Sequence, residues 1–217
     1  IRCSPAVHNN KVFIGDMNGE FYAIDYTSGK EIWHYKTNGT KFVNDSFGYD
    51  RKGIVSTPVV IRNKVIFGSR DGFMYNLDEA TGKENWVFDY HITWVLSTVA
   101  TDGKNVYAGT SDGKYINSID LNTGKEVWKT NTSLVWSSPL LINNKLYVGG
   151  YDGYLYCIDK TTGKRLENAI ATNGRIQSSP VLSNNRLFIG SEDGYLYALN
   201  NSKSCTEADP SFIKYVF

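Results

Sequence analysis

The sequence is poor in the residues that usually announce chemistry, with three cysteines, two methionines, three histidines and five prolines in 217 residues. Cys3, Cys157 and Cys205 are an odd number at wide separations with no C-x-x-C spacing, which argues against a disulfide scaffold and a structural zinc site. Cys3 and Cys157 stand where other parts of the chain place Ser and Ala, so they read as small residues in packed strands. His8, His34 and His91 share no spacing suited to a metal or a catalytic triad, and no metal site is expected. No run of about 18 apolar residues is present, so nothing reads as a membrane-spanning helix. The chain opens at Ile1 without the charged and apolar regions of a secretory leader, and so reads as a processed product or a piece of something longer. Charge is also lacking in the net: 23 Lys and Arg against 22 Asp and Glu give +1, leaving no field that would draw the chain to nucleic acid or an anionic membrane.

What is abundant is aromatic and glycine, with 15 Tyr, 10 Phe, 5 Trp and 20 Gly, a composition that suits pleated surfaces and tight turns. One phrase recurs five times: Gly15-Asp-Met-Asn-Gly19, Gly68-Ser-Arg-Asp-Gly72, Gly109-Thr-Ser-Asp-Gly113, Gly149-Gly-Tyr-Asp-Gly153 and Gly190-Ser-Glu-Asp-Gly194. Its second glycine advances by 53, 41, 40 and 41 residues, the period of an array in which no unit buries its apolar face alone.

Residues 134–167 show one unit clearly: an apolar run around Ser137–Ile142, then Asn143-Asn144, Lys145–Gly149, Asp152-Gly153 and Tyr154–Ile158. These are three strands joined by hairpins. Asn-Asn and Asp-Gly tolerate the positive φ of a type I′ turn, and the first turn recurs at Asn9-Asn10, Arg62-Asn63 and Asn184-Asn185, becoming Asp102-Gly103 in the third unit. A compact Asp-x-x-Thr/Ser-Gly-Lys turn follows at Asp25, Asp78, Asp120 and Asp159 and leads to a fourth strand bearing Trp33, Trp86 or Trp128 in the first three units. Central strands such as Tyr154–Ile158 are apolar at consecutive positions, so both faces are covered. The expected fold is all-β: a β-propeller of four-stranded antiparallel blades with five visible, as a small ring or a segment of a seven- or eight-bladed parent. One domain over 1–217 is expected, with blades near 1–38, 54–91, 92–133, 134–173 and 174–217 and an insertion at 39–53.

The unit Ser-Ser-Pro…Asn-x-Leu-Tyr-Val-Gly-x-x-Asp-Gly-x-Leu-Tyr-Cys-Ile-Asp-x-x-Thr-Gly-Lys resembles the pyrroloquinoline-quinone-like (PQQ-like) propeller repeat. That repeat is seen in quinoprotein dehydrogenases and in the outer-membrane assembly factor BamB, and the resemblance covers essentially the whole chain. It implies that Trp33, Trp86 and Trp128 dock each blade onto its neighbour. The fourth unit departs from the pattern with Glu167 in place of Trp, and the fifth replaces the Thr-Gly-Lys turn with Asn200–Cys205, which marks their seam as the weak one. Ser211–Phe217 is β-prone and is expected to supply a last outer strand. A quinone enzyme of the family is expected to carry an adjacent cysteine pair, and this chain has none, so neither a quinone cofactor nor enzymatic activity is expected. Ser111 satisfies G-x-S-x-G, but in a strand-to-strand hairpin rather than a nucleophile elbow. Asp71, Asp112, Asp152 and Asp193, with Asn18, read as turn residues rather than a cation-binding rim.

Function is then sought where the repeats differ. The residue before each Ser/Thr pair or its equivalent is Arg2, Val55, Leu96, Trp136 or Gln177, with Trp94 and Arg175 nearby. The residue before each hairpin Asp or Asn is Met17, Arg70, Ser111, Tyr151 or Glu192, and the insertion adds Phe42, Phe47, Tyr49, Asp50, Arg51 and Lys52. Arg70, Trp94, Trp136, Tyr151, Arg175, Gln177 and Glu192 are the expected binding face, their aromatics and Arg suited to a protein or peptide, an unfolded segment or a sugar. The expected function is a non-enzymatic binding or scaffold propeller, extracytoplasmic by resemblance to the assembly-factor branch and presenting one loop face to a protein. The alternative is a carbohydrate- or small-ligand-sensing module cut from a larger enzyme or receptor. A degenerate quinoprotein is a third reading.

Overall fold

The computed structural model describes residues 1–42, 50–91, 93–200 and 215–216, except the side chains of 167–169 and 215–216. Apart from one 3-10 turn at Asn38–Lys41, the described regular structure is all strand, in five sheets of four. The first sheet is β1 (Ala6–His8), β2 (Lys11–Gly15), β3 (Glu20–Asp25) and β4 (Glu31–Lys36); the second is β5 (Val59–Ile61), β6 (Lys64–Gly68), β7 (Phe73–Asp78) and β8 (Glu84–Asp89). The third is β9 (Ala100–Thr101), β10 (Asn105–Gly109), β11 (Tyr115–Asp120) and β12 (Glu126–Asn131); the fourth is β13 (Leu140–Ile142), β14 (Lys145–Gly149), β15 (Tyr154–Asp159) and β16 (Arg165–Ala171). The fifth is β17 (Val181–Ser183), β18 (Arg186–Gly190), β19 (Tyr195–Asn200) and β20 (Tyr215–Val216). Strand order follows the sequence in every sheet. The last strand comes from the β-prone C-terminal segment, with Tyr195 opposite Val216 and Leu196 opposite Tyr215. No described helix is long and apolar enough to cross a membrane.

Both kinds of hairpin follow from their residues, but not in the same way. Asn9-Asn10, Arg62-Asn63 and Asn184-Asn185 hold positive φ at both positions, as a two-residue type I′ turn requires. The Asp-Gly turns are different: only the glycine is left-handed at Gly19, Gly72, Gly153 and Gly194, and each loop has four residues. Here the Asp stays right-handed and spends its carboxylate on the backbone, accepting the N–H of Phe73 onto Asp71 at 3.0 Å and that of Tyr195 onto Asp193 at 3.2 Å. The type I′ expectation is corrected for this hairpin, because an Asx-type turn satisfies the same Asp-Gly pair. The third unit is longer by one residue, and Lys114 rather than Gly113 takes the positive φ.

The chain resolves into two compact units, Ile1–Val99 with Asp120–Lys125, and Ala100–Ile119 with Glu126–Phe217. In the first, Phe13, Phe21, Ala23 and Trp33 of the first sheet pack on Val65, Phe67, Tyr75 and Leu77 of the second, with Phe21 and Phe67 stacked at 4.0 Å. In the second unit the pleat of β15 feeds two cores, Tyr156 and Ile158 toward the third sheet and Leu155 and Cys157 toward the fifth. That is why the strand reads as continuously apolar. Cys157 corrects an expectation: it is disulfide-bonded, its partner lying outside the described residues. Sequence spacing alone does not set the geometry a disulfide needs, so the pairing was invisible to it. Cys3 is a free buried thiol that donates to the Gly15 carbonyl at 3.4 Å, at the position from which Ser56 donates to the Gly68 carbonyl and Ser178 to the Gly190 carbonyl, both at 2.8 Å.

Candidate functional site

The candidate surface is built on a joint that recurs four times, where the segment leaving a sheet folds back against that sheet's second strand. At each joint a β-branched residue two positions before the serine, Ile54, Val95, Val135 or Ile176, enters the space left by the missing side chain of Gly15, Gly68, Gly109 or Gly149. A Cβ on those glycines would lie 2.4, 2.4, 2.2 and 2.3 Å from the intruding side chain, so only glycine fits. The backbone then clasps: the N–H groups of Ile54, Val135 and Ile176 donate to the carbonyls of Asp16, Thr110 and Gly150 at 2.8 to 3.0 Å. On the other side of the clasp, the N–H groups of Arg70, Tyr151 and Glu192 donate to the carbonyls of Gly53, Leu134 and Arg175 at 3.1, 3.1 and 2.9 Å. The variable positions therefore flank a rigid knob-and-socket.

The outer strands add a second fastening. The indole N–H of Trp33 donates to the Glu79 carbonyl at 3.2 Å, that of Trp86 to Leu121 at 2.9 Å and that of Trp128 to Lys160 at 2.9 Å. Each ring lies against the left-handed glycine of the turn it meets, where a Cβ on Gly82, Gly124 or Gly163 would come within 2.6, 2.7 or 2.5 Å of the indole. A Trp thus needs the glycine turn of the next unit. The absence of Trp at 167 and of Thr-Gly-Lys after residue 200 is then one coordinated loss; the Glu167 side chain and residues 201–214 themselves lie outside the described set.

The seven expected binding residues fall into two groups. In the first unit the Arg70 guanidinium lies 4.3 Å from the Trp94 ring centre and 3.8 Å from Asp50, and its Nε is buried with no hydrogen-bond partner among the described residues. In the second unit Trp136, 40 % exposed, meets Tyr151 at 4.9 Å, and Arg175 lies 5.1 Å from the Tyr151 ring. Arg175 also sits 3.8 Å from Glu192, which accepts a hydrogen bond from Gln177. Trp136, Tyr151, Arg175, Glu192 and Gln177 thus form one continuous surface cluster. Of the insertion, Phe42 lies under the Arg51 guanidinium at 5.3 Å, and the backbone of Asn38 and Gly39 is tied to Tyr75 and Asp71; Phe47 and Tyr49 lie outside the described residues.

The hairpin aspartates are occupied by the protein itself. Asp71 accepts from the Gly39 N–H at 2.9 Å and the Tyr75 hydroxyl at 2.6 Å, and Asp193 from the Asn173 N–H at 3.0 Å and the Tyr197 hydroxyl at 2.7 Å. They latch the crossover from the preceding sheet, a role beyond turn formation. Burial pushes the Asp71 carboxyl up against these donors, and at Asp193 the donors win and hold it low. In the third unit Asp112 accepts from the Ser111 hydroxyl, at 3.3 Å, and in the first Asp16 takes over the turn, binding the N–H of Asn18 and Glu20. Ser111 has no histidine beside it, because each histidine pairs with a carboxylate elsewhere: His8 with Glu79, His34 with Glu31, His91 with Asp89. Among the described residues no three His, Cys, Asp or Glu side chains converge on one point.

One carboxylate in a first hairpin, Asp102 between β9 and β10, carries a larger load. Burial raises the Asp102 carboxyl, but the N–H groups of Asn105 and Lys104, the Lys160 ammonium at 3.1 Å and the Tyr107 hydroxyl outweigh it and bring it down to about 2. A depressed carboxyl contributes stability that is fully present above the unfolded value near 4 and lost as pH falls toward 2. Asp102→Asn keeps the turn acceptor but loses the ion pair, so it is expected to cost about 1–2 kcal/mol at pH 7. The difference should vanish near pH 2 in parallel urea titrations.

A family model described as "Outer membrane protein assembly factor BamB" matches residues 1–205. The assembly factor BamB of Kangiella koreensis is 30% identical over 168 residues, spanning 74% of this chain and 41% of that protein. The crystal structure of BamB from Moraxella catarrhalis superposes with a TM-score of 0.74 at 19% identity, covering 93% of this chain and 58% of that one. The quinohemoprotein alcohol dehydrogenase of Comamonas testosteroni gives 0.79 at 17% identity over 94% of this chain and 42% of its own. This chain therefore spans 41 to 58% of the length of these relatives.

Proposed function

We propose that this chain, which belongs to the family of the outer membrane protein assembly factor BamB, is a non-enzymatic scaffold that presents the joint surface to a protein partner in outer-membrane protein assembly. The observation that carries the reading is the cluster Trp136–Tyr151–Arg175–Glu192: two aromatic rings, a cation and an anion held at the surface by backbone clasps, where hot-spot residues are usually found. Its two rings offer apolar area with little entropy to lose, and the Arg and Glu at its far end suit main-chain or charged groups of a polypeptide. The PQQ-like repeat serves here as a frame: the chain carries no adjacent cysteine pair to receive a quinone, and the carboxylates of its Asp71 and Asp193 loops accept backbone N–H groups. The disulfide at Cys157 supports an extracytoplasmic, oxidising location.

The test is fluorescence anisotropy with a labelled, unfolded outer-membrane β-barrel polypeptide. Trp136→Ala and Arg175→Glu are expected to weaken binding by about tenfold or more each while leaving the circular dichroism unchanged. Equal affinity in both variants would remove the cluster from the interface.

A further inference from the structure

Trp33, Trp86 and Trp128 each stand opposite one residue in the third strand of their own sheet, Ala23, Asn76 and Ser118. A side chain at that position reaches the next unit. In the second sheet the Asn76 amide donates to the Leu121 carbonyl at 3.2 Å, the same carbonyl that takes the indole N–H of Trp86. In the fourth sheet Tyr156 pairs with Asn168 and Ile158 with Arg165, which sets Cys157 at this register position, beside residue 167, where the sequence has Glu in place of Trp. Cys157 is wholly buried in the core that holds Leu187, Ile189 and Leu199 of the fifth sheet.

The turn that an indole at 167 would meet has changed as well. At the 41-residue spacing of the last two units, Thr162-Gly163-Lys164 corresponds to Lys203-Ser204-Cys205. Serine replaces the glycine that would seat the ring, and a cysteine follows it. Of the three cysteines, Cys157 is disulfide-bonded and Cys3 is a free thiol, which leaves Cys205 as the partner by elimination. The lost Trp and its lost glycine thus coincide with two cysteines in the same two repeat positions.

We propose that a Cys157–Cys205 disulfide replaces the Trp-on-Gly contact between the fourth and fifth sheets, and that the seating of the fifth sheet is therefore set by redox state. The other outer fastenings are ring packing and one hydrogen bond, which a reductant does not touch. This one a dithiol opens by thiol–disulfide exchange: its two S–H groups become its own disulfide, and their two electrons and two protons leave Cys157 and Cys205 as thiols. The binding cluster straddles the same joint, with Trp136 and Tyr151 on the fourth-sheet side and Arg175, Gln177 and Glu192 on the fifth. Reduction is thus expected to loosen the cluster too, a consequence that rests on the cluster being the partner surface.

Amide hydrogen exchange of the full chain, before and after dithiothreitol, tests this. Thiol titration in urea is expected to count one free thiol per chain before reduction and three after. Exchange in β17–β19 is expected to quicken about tenfold or more on reduction, while β1–β4 keep their rates. Cys157→Ala, which puts there the residue type of Ala23 and Ala198, should exchange fast without reductant. Adding Glu167→Trp and Ser204→Gly to it is expected to bring back slow exchange that dithiothreitol no longer alters. A thiol count that stays at one in excess dithiothreitol, exchange unchanged by reduction, or a triple variant as fast as Cys157→Ala would each overturn the proposal. Anisotropy with the unfolded barrel polypeptide separates the two readings. Faster exchange with equal affinity in both redox states would remove the cluster from the interface and with it the effect on binding, and would leave the covalent joint standing.

Discussion

Replacing Trp33 by Ala is expected to lower the unfolding free energy by about 3–5 kcal/mol, the cost of emptying a packed Trp site. The indole is 9 % exposed, lies 5.9 Å from Phe13 and 6.2 Å from Phe21 by ring centres, and covers Gly82. Two losses add. The first is apolar area; the second is the N–H donated to the Glu79 carbonyl, which would be left without its partner in a buried place. Glu79 is also the hub on which His8, Asn9 and Lys11 converge at 3.0, 3.2 and 3.4 Å, so loosening that turn slackens the first hairpin as well. Trp33→Phe separates the two contributions: it keeps much of the ring contact, and the expected cost falls to about 1–3 kcal/mol. Trp136→Ala, at an exposed position, is the control and is expected to stay within about 0.5 kcal/mol. Urea midpoints for the three variants check the order. A Trp33→Ala protein within about 1 kcal/mol of the parent would mean that the indole is not what fastens these sheets.

How much of this was legible beforehand depends on how far each signal reaches along the chain. The Asn-rich hairpins, the Asp-x-x-Thr/Ser-Gly-Lys turns and the continuous apolar character of the inner strands are local, and each element stands where its residues put it: Asp78, for example, accepts the Thr81 N–H at 2.9 Å and the Thr81 hydroxyl at 2.7 Å in one turn. The knob was missed although its signal was present. Attention went to the varying position Arg2, Val55, Leu96, Trp136 and Gln177, while the residue one step earlier is Ile or Val in all five units. A β-branched residue fixed at one register, facing a glycine fixed at another 26 to 39 residues before it, is a steric pair, but periodicity shows only that both recur. The aromatic cluster was half legible: its residue types marked a surface, yet nothing in the sequence says that Tyr151 lies between Trp136 and Arg175. The disulfide at Cys157 is the case in which repeat position misled, since a small residue in a packed strand can still face a second thiol.

The same substitution at two equivalent glycines is expected to change stability in opposite directions. At Gly149 an added methyl would stand 2.3 Å from Ile176 Cγ2 and 2.9 Å from its carbonyl oxygen, so Gly149→Ala must push the Ile176 segment away. That strains the clasp between the Ile176 N–H and the Gly150 carbonyl, now 3.0 Å, and overpacks a core that includes Leu155, Leu187 and Leu199. A loss of about 2–3 kcal/mol is expected. Gly190 occupies the same place in β18, does not adopt positive φ, and offers an added methyl only ordinary contacts at 3.6 and 3.7 Å. There Gly190→Ala removes freedom from the unfolded chain at no steric cost, and a gain of about 0.4–1 kcal/mol is expected. Local propensity predicts the same sign for both, because both glycines end the second strand of their sheets; only the presence of a knob at one and its absence at the other separates them. Urea unfolding of the two variants therefore reads the occupancy of the two positions directly. Two losses of similar size would mean that the fifth socket is already filled in solution, and two gains would mean that the knob does not enter the fourth.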